Sequence, residues 1–130
     1  MILGVGTDLV DIGRIRMALG RWGERFAERV LVDPELERFR AHRKPESYLA
    51  KRFAAKEAFA KAMGTGIRYP VTWQNVSVAN HPSGRPYLVF SAPLAALLEE
   101  RGVRRVHLAL SDEVTVAAAF VVLEGAVQNG

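Results

Sequence analysis

Apolar and polar positions give the two halves of the chain different rhythms. Residues 2–10, ILGVGTDLV, form a β-rich apolar run broken by one acid, which predicts a buried strand with Asp8 near its end. Asp11 reads as a helix cap, and the helix it opens runs to about Gly20 or Gly23. A short helix follows over roughly 24–31. Asp33, Pro34 and Glu35 mark another start: a capping acid, a proline at the first helical position and an acid in the first turn. A longer helix spans roughly 45–63 and closes at Gly64. Beyond it the period changes. NVSVAN (75–80) and PYLVF (86–90) flank HPSGR, a hairpin signal. Ser91 and Pro93 begin a helix that ends at Gly102. VHLALS (106–111) and VTVAAAFVVLE (114–124) flank a tight turn at Asp112 and Glu113. The order predicts an α+β domain over residues 1–130, with a mostly antiparallel sheet packed against helices.

The helix over 45–63 has two unlike sides. Tyr48, Leu49, Phe53, Phe59, Ala60 and Met63 share an arc suited to a core, although Arg52 and Lys56 interrupt it. Ala50, Ala54, Glu57, Ala58 and Lys61 share the other side, where three alanines let another surface approach. Glu57 and Lys61 stand one turn apart there. The plainer reading is a surface ion pair worth a few tenths of a kcal/mol. The functional reading is a carboxylate for a cation beside an ammonium for a phosphate. Gly64, Thr65 and Gly66 add to the second: glycine lets backbone N–H groups approach an anion, and threonine supplies a hydroxyl.

Charge sharpens this picture. The chain has 130 residues and a formal charge of +4. Residues 1–64 carry 13 of the 18 Lys and Arg against 9 of the 14 Asp and Glu, so the whole surplus lies in the first half. A one-sided basic surface attracts anions. On the first helix Arg14, Met17, Ala18, Arg21 and Arg25 cluster on one face, opposite Ile12, Ile15, Leu19 and Trp22; a bend at Gly20 or Gly23 would remove Arg25 from the stripe. A basic face holding a methionine suits an acidic helical protein. It suits nucleic acid less, since no aromatics interleave as stacking platforms. A solvated face with no partner is the plain alternative. There is no cysteine, which excludes disulfides, thiolate metal sites and a thiol nucleophile. The first residues lack the basic start of a signal peptide, and no apolar run nears the roughly 20 residues that cross a bilayer. We expect a cytoplasmic protein without a membrane partner.

GVGTDLVDIGRI (4–15) and RFAAKEAFAKAMGTG (52–66) resemble the two signatures of the holo-acyl-carrier-protein synthases, the small single-domain class of 4′-phosphopantetheinyl transferases. The likeness extends to FAERVL (26–31), SGRPYL (83–88) and AAAFVVLE (117–124). It implies Mg²⁺-dependent transfer of 4′-phosphopantetheine from coenzyme A to a serine of apo acyl carrier protein. Adenosine 3′,5′-bisphosphate is released, and the modified carrier serves fatty acid biosynthesis. It also implies a homotrimer with sites between subunits. By resemblance Asp8 and Glu57 bind the metal, and Lys61 steadies the departing phosphate. Either Glu57 or a water on the metal takes the serine proton. Gly64, Thr65 and Gly66 lie along the coenzyme, Ser83, Gly84, Arg85 and Pro86 form a turn against its nucleotide, and Lys44 and Arg52 hold phosphate. Arg14, Met17, Arg21 and Arg25 match the helix that receives the carrier. Some relatives have a histidine where Asp112 stands; here we expect Asp112 to cap the turn rather than support the site. His42 and His81 receive no role, and His107 reads as packed or hydrogen-bonded. A different Mg²⁺-dependent phosphoryl enzyme and a basic adaptor are the competing functions.

Overall fold

The computed structural model describes residues 1–127. Its elements are β1 (Ile2–Asp11), α1 (Ile12–Trp22), α2 (Glu24–Val30), α3 (Asp33–Ala41), α4 (Pro45–Met63), β2 (Val76–Asn80), β3 (Pro86–Phe90), α5 (Ala92–Glu100), β4 (Val103–Asp112) and β5 (Val116–Gly125). β5 lies between β1 and β4 in an antiparallel three-stranded sheet, and β2 and β3 form a separate hairpin. The α+β architecture and its antiparallel pairing follow the sequence expectation.

α4 runs through the centre, against the sheet on one side and α1, α2 and α3 on the other. Its alanine side and its aromatic side are therefore both buried: Ala50, Ala54, Ala58 and Ala62 as well as Tyr48, Leu49 and Phe59. The close approach has a visible cause. A Cβ on Gly6 would sit 2.0 Å from the Ala58 carbonyl oxygen, and one on Gly4 2.2 Å from that of Ala62. Glycine on the strand and alanine on the helix thus set how near β1 comes to α4.

Several expectations need correction. β1 is not buried on both faces. Gly6 and Val10 turn inward, whereas Val5 and Leu9 turn outward and are exposed, Leu9 to 74%. Alternation holds because, among the described residues, only one face of the sheet has a helix over it. Trp22 does not join Ile12 and Ile15 in the core; it is exposed beneath the Arg21 guanidinium, 4.9 Å from its ring centroid. The cap of α3 is Glu35 rather than Asp33: its Oε1 accepts from the Val32 N–H at 3.0 Å. β4 runs on through Asp112, so the turn before β5 lies one residue later than expected, with Glu113 N–H donating to the Val116 carbonyl at 2.8 Å.

The most buried charges tie the helices together. Lys56 is wholly enclosed, and its ammonium donates to Glu35 Oε1 at 2.7 Å, the Trp73 carbonyl at 2.9 Å and the Val30 carbonyl. Glu35 Oε2 accepts from the Val78 N–H at 2.8 Å. One ion pair therefore joins α2, α3, α4, β2 and the loop before β2. Burial pulls the Lys56 ammonium pKa down, and Glu35 opposes that shift. No helix among the described residues is long and apolar enough to cross a membrane.

Candidate active site

Two elements bring the acids together. Asp8 follows Gly6 on the inward face of β1, and Glu57 precedes Ala58 on α4, so the glycine–alanine contact that seats the strand also sets the carboxylates. Lys61, one turn beyond Glu57, donates to Asp8 Oδ1 at 2.8 Å and to the Thr7 carbonyl at 3.0 Å. Asp8 is largely buried here while Lys61 stays half open to solvent. Burial raises the Glu57 pKa first, the Asp8 charge raises it further, and Lys61 opposes both. Glu57 therefore feels Asp8 directly, and the two carboxylates leave this corner short of positive charge.

Asp8 Oδ2 shows the same deficit: it is buried with no hydrogen-bond partner. A buried carboxylate oxygen without a donor is costly unless a cation meets it. Two carboxylates on separate elements suit Mg²⁺, which keeps several waters and takes few protein ligands. Among the described residues no group of three His, Cys, Asp or Glu gathers as a cage, so any such ion would need oxygens from elsewhere.

A second cluster lies toward the start of α4. Arg52 is buried with its guanidinium 4.0 Å over the Tyr48 ring, and its Nη2 donates to Asn80 Oδ1 at 3.1 Å. Arg52 Nε and the Tyr48 hydroxyl are buried without partners. Arg38, His42 and Lys51 line the same hollow. Asn80 reaches on to the turn at 81–85, where its Nδ2 donates to the Gly84 carbonyl at 3.0 Å. The turn is shaped by Gly84, at φ 93°, whose N–H donates to the His81 carbonyl at 2.8 Å. Ser83 and Arg85 are exposed on it, and Pro86 opens β3.

The remaining coenzyme candidates lie in other hollows. Gly64 ends α4 at φ 73°, and with Thr65 it lines a pocket shared with Arg68 and Arg101. The Thr65 hydroxyl donates to the Gly66 carbonyl at 2.8 Å. Lys44 faces a cavity with Arg16, Glu46 and Asp112. Asp112 makes no side-chain hydrogen bond to its turn among the described residues, and instead lies 3.7 Å from the Lys51 ammonium. One chain thus brings Asp8 to Lys61 with Glu57 one turn away, links Arg52 to Gly84, sets Lys44 beside the Arg52 hollow through its N–H to His42 Nδ1 at 3.0 Å, and places Gly64 and Thr65 in another pocket.

Arg14, Met17 and Arg21 are exposed together on α1, with Met17 at 76%. Gly23, at φ 63°, separates α1 from α2, and Arg25, now on α2, borders a groove with Ala18 of the stripe, Trp22, Phe26 and Arg29. Sequence reasoning missed Asn80, Tyr48 and the Glu35–Lys56 pair. Only the spacing of Lys56 among core positions hinted at the last. His107 is hydrogen-bonded, with Nε2 2.9 Å from Glu124 Oε1 on the outer sheet face.

Comparison with known proteins places this arrangement in a group. The sequence pattern of the 4′-phosphopantetheinyl transferase superfamily matches residues 4–119. A holo-[acyl-carrier-protein] synthase of Nitrosomonas europaea is 54% identical over 124 residues, spanning 95% of this chain and 99% of the relative. The crystal structure of the holo-[acyl-carrier-protein] synthase from Neisseria meningitidis superposes with a TM-score of 0.93 at 48% identity, covering 95% of this chain and 99% of that one. The enzyme from Bacillus anthracis, solved in complex with CoA (3′,5′-ADP), gives a TM-score of 0.82 at 34% identity, covering 97% of this chain and 99% of the other.

Proposed function

This chain belongs to the 4′-phosphopantetheinyl transferase superfamily, in its holo-[acyl-carrier-protein] synthase branch, and on that premise we propose how its residues carry 4′-phosphopantetheine from coenzyme A to a serine of apo acyl carrier protein. The observation that carries the residue assignment is the convergence of Asp8, Glu57 and Lys61, with Asp8 Oδ2 buried and unpartnered. Asp8 and Glu57 are the residues that would hold Mg²⁺. The ion, when bound, offsets negative charge on the diphosphate whose P–O bond breaks.

The chain's own groups do the rest. The Lys61 ammonium, anchored by Asp8 and the Thr7 carbonyl, lies beside that diphosphate and stabilises the leaving adenosine 3′,5′-bisphosphate. Either Glu57 or a water beside it would take the carrier serine proton. Arg52, with Arg38, His42 and Lys51 lining the same hollow, holds phosphate of the coenzyme. The turn at Ser83, Gly84, Arg85 and Pro86 lies against its nucleotide. Lys44 and Gly64–Gly66 reach the coenzyme from a neighbouring copy or along its extended arm. Arg14, Met17 and Arg21 receive the acidic carrier, with Arg25 at the edge of the adjoining groove.

We read the whole chain as one transferase domain that works as a homotrimer in the cytoplasm. The support for the trimer is the outer sheet face, where Val5, Leu9, Val116 and Phe120 are exposed together.

The test is intact-mass analysis of apo carrier incubated with the protein, coenzyme A and Mg²⁺. A gain of roughly 340 Da, the phosphopantetheine arm, is expected. A carrier that stays unmodified while a known synthase modifies it overturns the reading.

A further inference from the structure

We propose that Asn80 is the positioning residue of the coenzyme site, its single carboxamide fixing the Arg52 guanidinium of α4 and the turn at 81–85 as one anion-facing surface. The inference deepens the coenzyme reading above and rests on it.

Asn80 closes β2, directly opposite Pro86 at the start of β3. Its Oδ1 accepts from Arg52 Nη2 at 3.1 Å and its Nδ2 donates to the Gly84 carbonyl at 3.0 Å. The orientation of the amide has one solution. A guanidinium only donates and a carbonyl only accepts, so the oxygen must face Arg52 and the nitrogen must face Gly84. No other side chain of this length offers both functions on one planar head. Asp would accept from Arg52 but could not donate to Gly84, and Leu would do neither.

Arg52 needs this partner. Its guanidinium lies over the Tyr48 ring, which fixes the plane but not rotation within that plane. Asn80 makes its only hydrogen bond among the described residues, and Nε is left buried without one. With Asn80 holding Nη2, Arg52 lines the hollow where Arg38, His42 and Lys51 gather. The hollow therefore suits an anion of the phosphate class. The same amide keeps the glycine turn in register with it. An element from the helical layer and one from the hairpin are joined here by two hydrogen bonds through one residue.

The experiment compares wild type with Asn80→Ala and Asn80→Ser. Binding of adenosine 3′,5′-bisphosphate is measured by calorimetry without metal or carrier, alongside steady-state constants and the melting temperature. Asn80→Ala is expected to weaken bisphosphate binding and to raise KM for coenzyme A, each by about tenfold. KM for the carrier and kcat should move less than about twofold. Asn80→Ser, smaller but still polar, should fold and show the same split, and it carries the test if the alanine variant does not fold. Wild-type bisphosphate affinity in a folded variant overturns the proposal. So does a loss spread equally over kcat and both KM values. Wild-type protein that binds no bisphosphate would instead defeat the coenzyme reading itself.

Discussion

At the residue scale, the site is governed by an excess of negative charge. Glu57 shows it most directly, because burial and Asp8 together raise its pKa against the pull of Lys61. The consequence for stability has a definite sign. In the unfolded chain Glu57 loses its proton at the ordinary carboxylate pKa, whereas in the folded chain it holds that proton to higher pH. Between those two values the folded state binds more protons, so stability falls as pH rises through that window. At neutral pH, without metal, Glu57→Gln should therefore melt at or above the temperature of wild type, and Mg²⁺ with coenzyme A should raise the melting temperature of wild type more than that of the variant. Its turnover should fall by about a hundredfold or more. A variant that melts lower without metal would contradict the charge argument. The residue types at this site were legible in the sequence, since Glu57 and Lys61 are one turn apart and Asp8 ends an apolar run. Asn80 was not legible. Its role depends on a long-range meeting of Arg52 with Gly84, which no local spacing records.

At the element scale, the approach of β1 to α4 depends on atoms that are missing. A methyl group on Gly6 would be driven into the Ala58 carbonyl oxygen, which is backbone and cannot swing aside. Gly6→Ala should cost about 1–3 kcal/mol and move Asp8 from Lys61, lowering kcat more than it lowers carrier affinity. Denaturant unfolding with steady-state kinetics checks both. The Glu35–Lys56 pair sets the other side of α4. Lys56→Met leaves a buried carboxylate unpaired and should cost about 3–5 kcal/mol. Adding Glu35→Leu should not restore the loss, because the Val32 and Val78 N–H groups would then lack their acceptor. The order of elements was readable because period, caps and glycines agree along the chain. The cap of α3 was misread at Asp33 because Glu35 does two jobs, and the second, in the core, is visible only once the helices pack. The alanine side of this 19-residue helix already signalled that a surface comes close; that the surface is β1, with Gly4 and Gly6 against Ala62 and Ala58, is visible only in the fold.

At the scale of the whole molecule, the described residues cover the sheet on one face only. Leu9 and Phe120 stand on the bare face of β1 and β5, and a copy of the same chain is the occupant that the homotrimer reading supplies. If the homotrimer proposed above uses this face, Leu9→Lys, or Phe120→Asp, should yield monomer in sedimentation velocity and reduce transfer. A trimer that persists in both variants would move the interface elsewhere. Apolar residues on both faces are also why β1 looked like a buried strand: Val5 and Leu9 turn outward and Val10 inward, and a continuous apolar run reads the same whether or not both faces are covered. The central claim remains that Asp8 and Glu57 close on one divalent ion against the coenzyme diphosphate. It is tested most directly by titrating Mn²⁺ into wild type, Asp8→Asn and Glu57→Gln, each saturated with coenzyme A, and reading bound metal by electron paramagnetic resonance. One tightly held ion in wild type, weakened by at least about tenfold in each variant, is the predicted result. Equal binding in all three would contradict it.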